Sequence, residues 1–274
     1  MLETGQWIAA SVFGADAAHG NPTVVVWLQD WPNDQELHAL SRMLPADEVT
    51  VAVRGRDRLL LRWFGPYGEV SFCGHGALAA AALLPETASA GGMVATLGGP
   101  ARLQLQLGYR DGLAALQMPA TPLRELDPQH VDLGVPVVRL FDAGRDYLAV
   151  LPDEACVRAR SPAQERLLAL DKIGVVTTAP AAQATAAFRF FAPRAGIRED
   201  RASCSVLPTL AALWLGGRLD IGCFLQCAGI DIPLPVRRSG RGWLVTGPVH
   251  VTGQGHWAAL QPSTIPVTPR KSPC

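Results

Sequence analysis

The sequence predicts an α+β fold of two similar halves, each a barrel-like sheet wrapped around a central apolar helix. Three observations carry this. Short strand-like runs broken by turn residues dominate, with 27 Gly and 22 Pro among 274 residues. Two Ala- and Leu-rich runs, 75–84 and 206–216, are apolar on all sides, as expected of helices buried within a core rather than laid on a surface. Finally, Cys73 to Leu84 can be laid on Cys204 to Leu215, 131 positions later and close to half the chain. In that register Ala80 meets Ala211, Ala81 meets Ala212 and Leu84 meets Leu215, the trace expected of two halves with one plan.

Along the chain, residues 22–28 (PTVVVWL), 49–53 (VTVAV) and 58–64 (RLLLRWF) read as strands because they are short, β-branched or aromatic, and bounded by Gly, Pro or charge. The run HGALAAAALL over 75–84 follows as a buried helix, stopped by Pro85. Residues 103–107, Leu-Gln-Leu-Gln-Leu, alternate with the period of a half-buried strand. Four prolines and several charges over 118–136 mark a break, giving domains 1–118 and 119–274. In the second half, 146–151 and 186–192 are strand candidates, and the helix over 206–216 ends at Gly216 and Gly217. Residues 242–260 read as a closing hairpin or meander, and the Pro- and Ser-rich tail beyond as frayed.

Composition excludes several classes. Lys plus Arg and Asp plus Glu are both 24, so the basic excess usual in nucleic-acid or anionic-membrane binders is missing. With 49% hydrophobic and 18% charged residues the chain is not a disordered one. The N-terminal residues show no basic segment followed by a long apolar run, and no apolar stretch reaches the ~18 residues of a membrane span. The six cysteines form no CxxC pair, so reduced thiols and a cytoplasmic location are expected. Cys223 and Cys227 alone are too few for a metal site, and no metal or cofactor is expected. Only Lys172 and Lys271 are lysines, both in polar surroundings, which speaks against Schiff-base chemistry.

Each predicted central helix begins at a distinctive motif. The first is Glu69-Val-Ser-Phe-Cys-Gly-His-Gly76, the second Glu199-Asp-Arg-Ala-Ser-Cys-Ser205. Small residues at a helix start admit a ligand to unpaired backbone N–H groups, whose dipole favours an anion such as a carboxylate. Two such starts, with Gly74 and Gly76 in one and Cys204 and Ser205 in the other, suit a small carboxylic acid. His75 is a candidate acid/base or orienting donor. Glu48, just before a strand, reads by itself as an ordinary edge carboxylate, and Asp200 with Ser205 as a helix-capping pair.

Taken in order, Gly20-Asn21-Pro22, Asp47-Glu48, Arg62-Trp-Phe-Gly-Pro66, Glu69 through Ala79, and Gly196-Ile-Arg-Glu-Asp200 through Ser205 resemble the phenazine-biosynthesis (PhzF-like) isomerase family, to about residue 255. Members look like diaminopimelate epimerase, with two barrel-and-helix halves and the active site in the cleft. The resemblance implies cofactor-independent proton transfer on a small carboxylate, in a homodimer. It gives Glu48 the place of the catalytic acid/base. It puts His75, Asp200 and Ser205 on the other polar catalytic positions, and Asn21, Cys73, Gly74, Gly76 and Cys204 around the substrate. This sequence departs from the family pattern at Ser11 (usually Asp), Gly65 (usually Thr), Gly76-Ala77 (usually Ala-Thr) and Ser203-Cys204 (usually Thr-Gly). Cys73 and Cys204, one at each helix start, also suit a two-thiol racemase or epimerase of this architecture. A non-catalytic binder of small acids is the third reading.

Overall fold

A computed structural model describes residues 5–256 except 45, 56–57, 85–91 and 97–103. Pro85, Leu103 and the tail beyond residue 256 therefore lie outside the described residues. Strands β1 (Gln6–Val12) and β2 (Asn21–Leu28) precede helix α1 (Asp34–Met43), followed by β3 (Val49–Arg54), β4 (Arg58–Gly65) and β5 (Gly68–Val70). Helix α2 (Gly74–Ala81) leads to β6 (Gly92–Thr96), β7 (Gln104–Arg110) and β8 (Leu113–Pro119). Next come β9 (Arg124–Leu126), β10 (Arg139–Asp142), β11 (Asp146–Val150), α3 (Glu154–Ala159), α4 (Gln164–Leu168), β12 (Gly174–Pro180), β13 (Ala186–Ala192) and β14 (Ile197–Asp200). Helix α5 (Leu207–Trp214), entered through a 3-10 turn at Cys204–Val206, is followed by β15 (Ile221–Cys227), β16 (Asp231–Ser239) and β17 (Gly242–His256).

The chain divides into two compact units, 1–117 with 246–274, and 118–245. The first break falls next to the proline-rich stretch. The C-terminal strand, expected with the second half, is shared: residues 242–245 pair with β16 in the second unit, while residues 249–256 pair antiparallel with β1 from Val12 to Gln6 in the first. Residues 242–256 are also one continuous strand rather than a hairpin of their own. The hairpin is made with β16 across Gly240, whose φ of 56° suits glycine, with Ser239 facing Gly242.

In the first unit β1 pairs β2 antiparallel, β2 pairs β3 parallel and β3 pairs β4 antiparallel. β4 then holds β5 antiparallel and β6 parallel, and β6, β7 and β8 continue antiparallel. β17 pairs with both β8 and β1, closing the strands into a ring. Inside it, α2 packs against β1, β2, β3 and β7, and all eight of its residues are buried. An isolated eight-residue helix would not be stable in water, so burial of its surface, apolar apart from His75, is what holds it. It ends earlier than the predicted 84 because Ala82, Leu83 and Leu84 bond back three residues, tightening the chain into turns.

The second unit repeats the plan pairing for pairing. β10 pairs β11 antiparallel, β11 pairs β12 parallel and β12 pairs β13 antiparallel. β13 holds β14 antiparallel and β15 parallel, and β15, β16 and β17 continue antiparallel. Its helix α5 occupies the position of α2 in this order. Leu207 to Ala211 are buried, Trp214 donates to Thr178 Oγ1 on β12 at 3.1 Å, and the helix stops before Gly216 and Gly217, at φ 51° and 76°. Among the described residues no helix is long and apolar enough to cross a membrane, and Cys73, Cys156, Cys204, Cys223 and Cys227 are not in disulfides.

Candidate active site

Each helix start is reached through a short strand pinned by one kind of ion pair. Arg62 on β4 donates through Nε to Glu69 Oε1 at 2.8 Å and through Nη2 to Oε2 at 2.6 Å, tying β5 down just before α2. Arg189 on β13 does the same to Glu199 on β14, at 2.6 and 2.8 Å, just before the 3-10 turn. Arg62 lies over the Phe64 ring at 5.3 Å and Arg189 over Phe191 at 5.0 Å. The planar guanidinium fits a carboxylate edge to edge and an aromatic face at once, which a lysine would not do.

In the first unit, parallel pairing of Val24 with Val49 brings the turn before β3 beside the start of β2. Thr23 Oγ1 donates to the Glu48 carbonyl at 3.0 Å and fixes that turn. The Glu48 side chain is buried, with Oε2 at 3.7 Å from His75 Nε2. His75, in the first turn of α2, is also buried, and Asn21 Nδ2 lies 3.4 Å from its Nδ1. The Asn21 amide on Nδ1 holds the ring so that Nε2 faces Glu48. Cys73 caps α2: its Sγ accepts from Gly76 N at 3.4 Å, and lies 3.5 Å from His75 Nδ1 and 3.7 Å from Nε2.

Glu48 and Asn21, distant in sequence from Cys73 and His75, are thus gathered with them at one helix start. Gly74 and Gly76 are the first and third residues of that helix. A Cβ at Gly76 would stand 2.2 Å from Thr50 Oγ1 and 3.2 Å from Trp63 Cδ1, so packing alone requires glycine there. The usual alanine has no room. Ser11 is buried against Gly20, its hydroxyl without a hydrogen-bond partner among the described residues.

In the second unit Asp200 and Ser205 are held by different partners, so they are not the capping pair suggested by their spacing. Asp200 Oδ2 accepts from Ser203 Oγ at 2.5 Å, and its Oδ1 accepts from Arg201 N at 2.8 Å. Fully buried Gln226, which nothing in the sequence singled out, accepts from Ser203 N at 2.6 Å. It also donates to the Asp200 carbonyl at 2.7 Å and to Ser203 Oγ at 3.0 Å. Ser205 Oγ accepts from Arg145 Nη2 at 3.2 Å, while Arg145 is bound to Asp146 Oδ2 through Nε at 2.8 Å. A hydroxyl that accepts from a guanidinium turns its own proton elsewhere, so Arg145 presents Ser205 as a donor. Cys204 is buried at the start of the 3-10 turn. Cys223 and Cys227 join no cluster of metal-ligand spacing among the described residues, and burial pushes the Cys227 thiol up to about 11.

Two halves of one strand plan, each with its own buried helix, make an epimerase-type fold. A family model described as phenazine biosynthesis-like protein matches residues 10–228. An uncharacterized isomerase of Pseudomonas aeruginosa is 32% identical over 209 residues, 74% of this chain and 78% of that protein. An uncharacterized isomerase of Vibrio cholerae is 29% identical over 218 residues, 77% of this chain and 76% of that protein. The crystal structure of a phenazine biosynthesis protein of the PhzF family from Enterococcus faecalis matches with a TM-score of 0.78 at 23% identity, covering 91% of this chain and 97% of that one. The chain belongs to the phenazine biosynthesis-like family and is an enzyme of the isomerase class.

Proposed function

We propose that this isomerase shifts a proton within a small carboxylate substrate without a cofactor, with Glu48 as the acid/base. The observation that carries the reading is the buried Glu48 carboxylate within 3.7 Å of His75 Nε2. A base that takes a proton from carbon must be shielded from water yet kept within reach of a donor that steadies its charge, and this pair supplies both. His75, its other nitrogen engaged by Asn21, is oriented to hand its Nε2 proton toward the site rather than rotate. Glu48 takes the proton from a carbon next to an unsaturated or carbonyl group and returns it elsewhere on the same molecule. The roles that the resemblance gives Asp200 and Ser205 stay part of the proposal. So do a homodimer in the cytoplasm and the lack of nucleic-acid or membrane partners.

The test follows solvent deuterium into a panel of small unsaturated and amino acids. Incorporation by the wild type that falls about a thousandfold in Glu48→Gln supports the proposal. Normal exchange by Glu48→Gln overturns it. A second reading, a two-thiol racemase, is favoured by one observation: Cys73 and Cys204 are both buried at equivalent helix starts of the two repeats. It requires Cys73→Ala and Cys204→Ala to be inactive while Glu48→Gln exchanges normally. If the wild type exchanges nothing while still binding members of the panel, a non-catalytic binder of small acids is the better description.

A further inference from the structure

We propose that Glu48, Cys73 and His75 form a binding site for a zinc ion. Their ligand atoms all lie within 4.8 Å of one another, and all three residues are buried. His75 Nε2 stands 3.7 Å from both Cys73 Sγ and Glu48 Oε2. With ordinary zinc–sulfur, zinc–nitrogen and zinc–oxygen bonds, the edges of a tetrahedron are about 3.5 Å from S to N and about 3.3 Å from N to O. The third edge, from sulfur to carboxylate oxygen, is within 4.8 Å against about 3.5 Å in that tetrahedron, so side-chain rotation on the order of an ångström brings the three atoms onto one face, with the fourth position left to water or an anion.

The charges agree with this choice. A thiolate and a carboxylate together cancel the two positive charges of the ion, so the occupied site is neutral where a lone charge would be costly. Binding releases the Cys73 thiol proton to solvent and leaves His75 neutral, with its proton on Nδ1. There the Asn21 side chain, 3.4 Å away, turns its amide oxygen to accept it, the outer-shell support that metal-bound histidines need. One sulfur, one imidazole nitrogen and one carboxylate suit zinc or its cobalt surrogate. Magnesium and calcium, which ask for a shell of oxygens, find only one protein carboxylate here.

The consequence for turnover rests on the function proposed above: the ion takes both the base and its partner, so zinc inhibits. Binding itself does not depend on that reading and is measured without substrate. The full chain, freed of metal by a chelator, is titrated with zinc by calorimetry and with cobalt by absorption. One equivalent of zinc is expected, with a thiolate-to-cobalt charge-transfer band. Cys73→Ser is the decisive variant, because serine keeps the helix cap while being a poor zinc ligand. It is expected to weaken zinc about a hundredfold or more and to abolish the band, with its fold checked by circular dichroism. His75→Gln weakens zinc similarly, while Cys227→Ser leaves it unchanged. Zinc binding that survives Cys73→Ser, or cobalt binding without a sulfur band, overturns the proposal. Tight zinc binding alongside normal deuterium exchange by Glu48→Gln would leave the site standing and remove only the assigned base.

Discussion

Arg189 grips Glu199 by two parallel hydrogen bonds, Nε to Oε1 at 2.6 Å and Nη2 to Oε2 at 2.8 Å. Its Nη1 reaches the carbonyls of Val157, Arg158 and Arg160, which close α3. One side chain therefore joins β13, β14 and a helix end. Replacing it leaves a half-buried carboxylate and three carbonyls without their donor. Arg189→Met is expected to cost about 3 kcal/mol, read from urea unfolding, with Arg189→Met/Glu199→Leu recovering part of that.

Gly76 sits where any side chain meets Thr50 and Trp63. Gly76→Ala is expected to destabilise by about 1–3 kcal/mol through overpacking. Thr50→Ala in the same chain removes the nearest atom and should restore most of the loss. Additive effects in this double-mutant cycle would contradict the packing account.

Arg145 turns Ser205 into a donor, and it also neutralises the buried Asp146. These two roles separate experimentally. Arg145→Met alone should destabilise the protein and, on the proposed function, raise KM for the substrate. Arg145→Met/Asp146→Leu removes the stranded charge and should regain stability, while KM stays raised about tenfold with kcat little changed. Arg145→Lys should restore part of the KM. Recovery of KM together with stability would make Arg145 structural only.

Asp142 accepts from Lys172 Nζ, Arg124 Nη2 and Gly144 N, each at 2.8 Å. Lys172 first, then Arg124 and the amide, hold its carboxyl well below the usual carboxylate range. Because the folded value is depressed, this contribution is full above the unfolded value near 4 and is lost as pH falls below it. Urea midpoints compared at about pH 6 and about pH 3 should fall less in Asp142→Asn than in the wild type. An equal fall would show the cluster to be without effect on acid stability.

Much of this molecule was legible in its sequence, and the exceptions have physical causes. The strands at 22–28 and 49–53 stand out because β-branched residues fill them, that at 58–64 because it is a short apolar and aromatic run between charges, and α2 because nothing polar follows His75 in it. Strand β16 escapes notice because Pro233 and Pro235 argue against a strand. In the fold both point outward, alternating with buried Ile232, Leu234 and Val236. Helix α1 is short and its sequence largely polar, although Asn33 and Glu36 form a capping box and Leu37 and Leu40 make a buried stripe. The internal repeat has a sharper mark than the helices, Arg62-Trp-Phe-Gly-Pro66 against Arg189-Phe-Phe-Ala-Pro193. At the site, the nearness of Cys73 to His75 follows from spacing, but that of Glu48 needs the parallel pairing of β2 with β3. Gln226 and Arg145 carry no local signal, since a buried glutamine and a paired arginine are made informative only by their partners.

Val12 pairs with Val249, so the first barrel is completed by the last described strand. During synthesis β1 leaves the ribosome long before the partner that covers its edge. The segment 118–245 can collapse locally while the flanking pieces wait, and the N-terminal half finishes folding only after its sister. A release product ending near residue 117 would carry the Glu48–His75 pair on an open sheet. Such an edge invites strand addition from a neighbouring chain, so that fragment should be recovered in aggregates rather than as a soluble half.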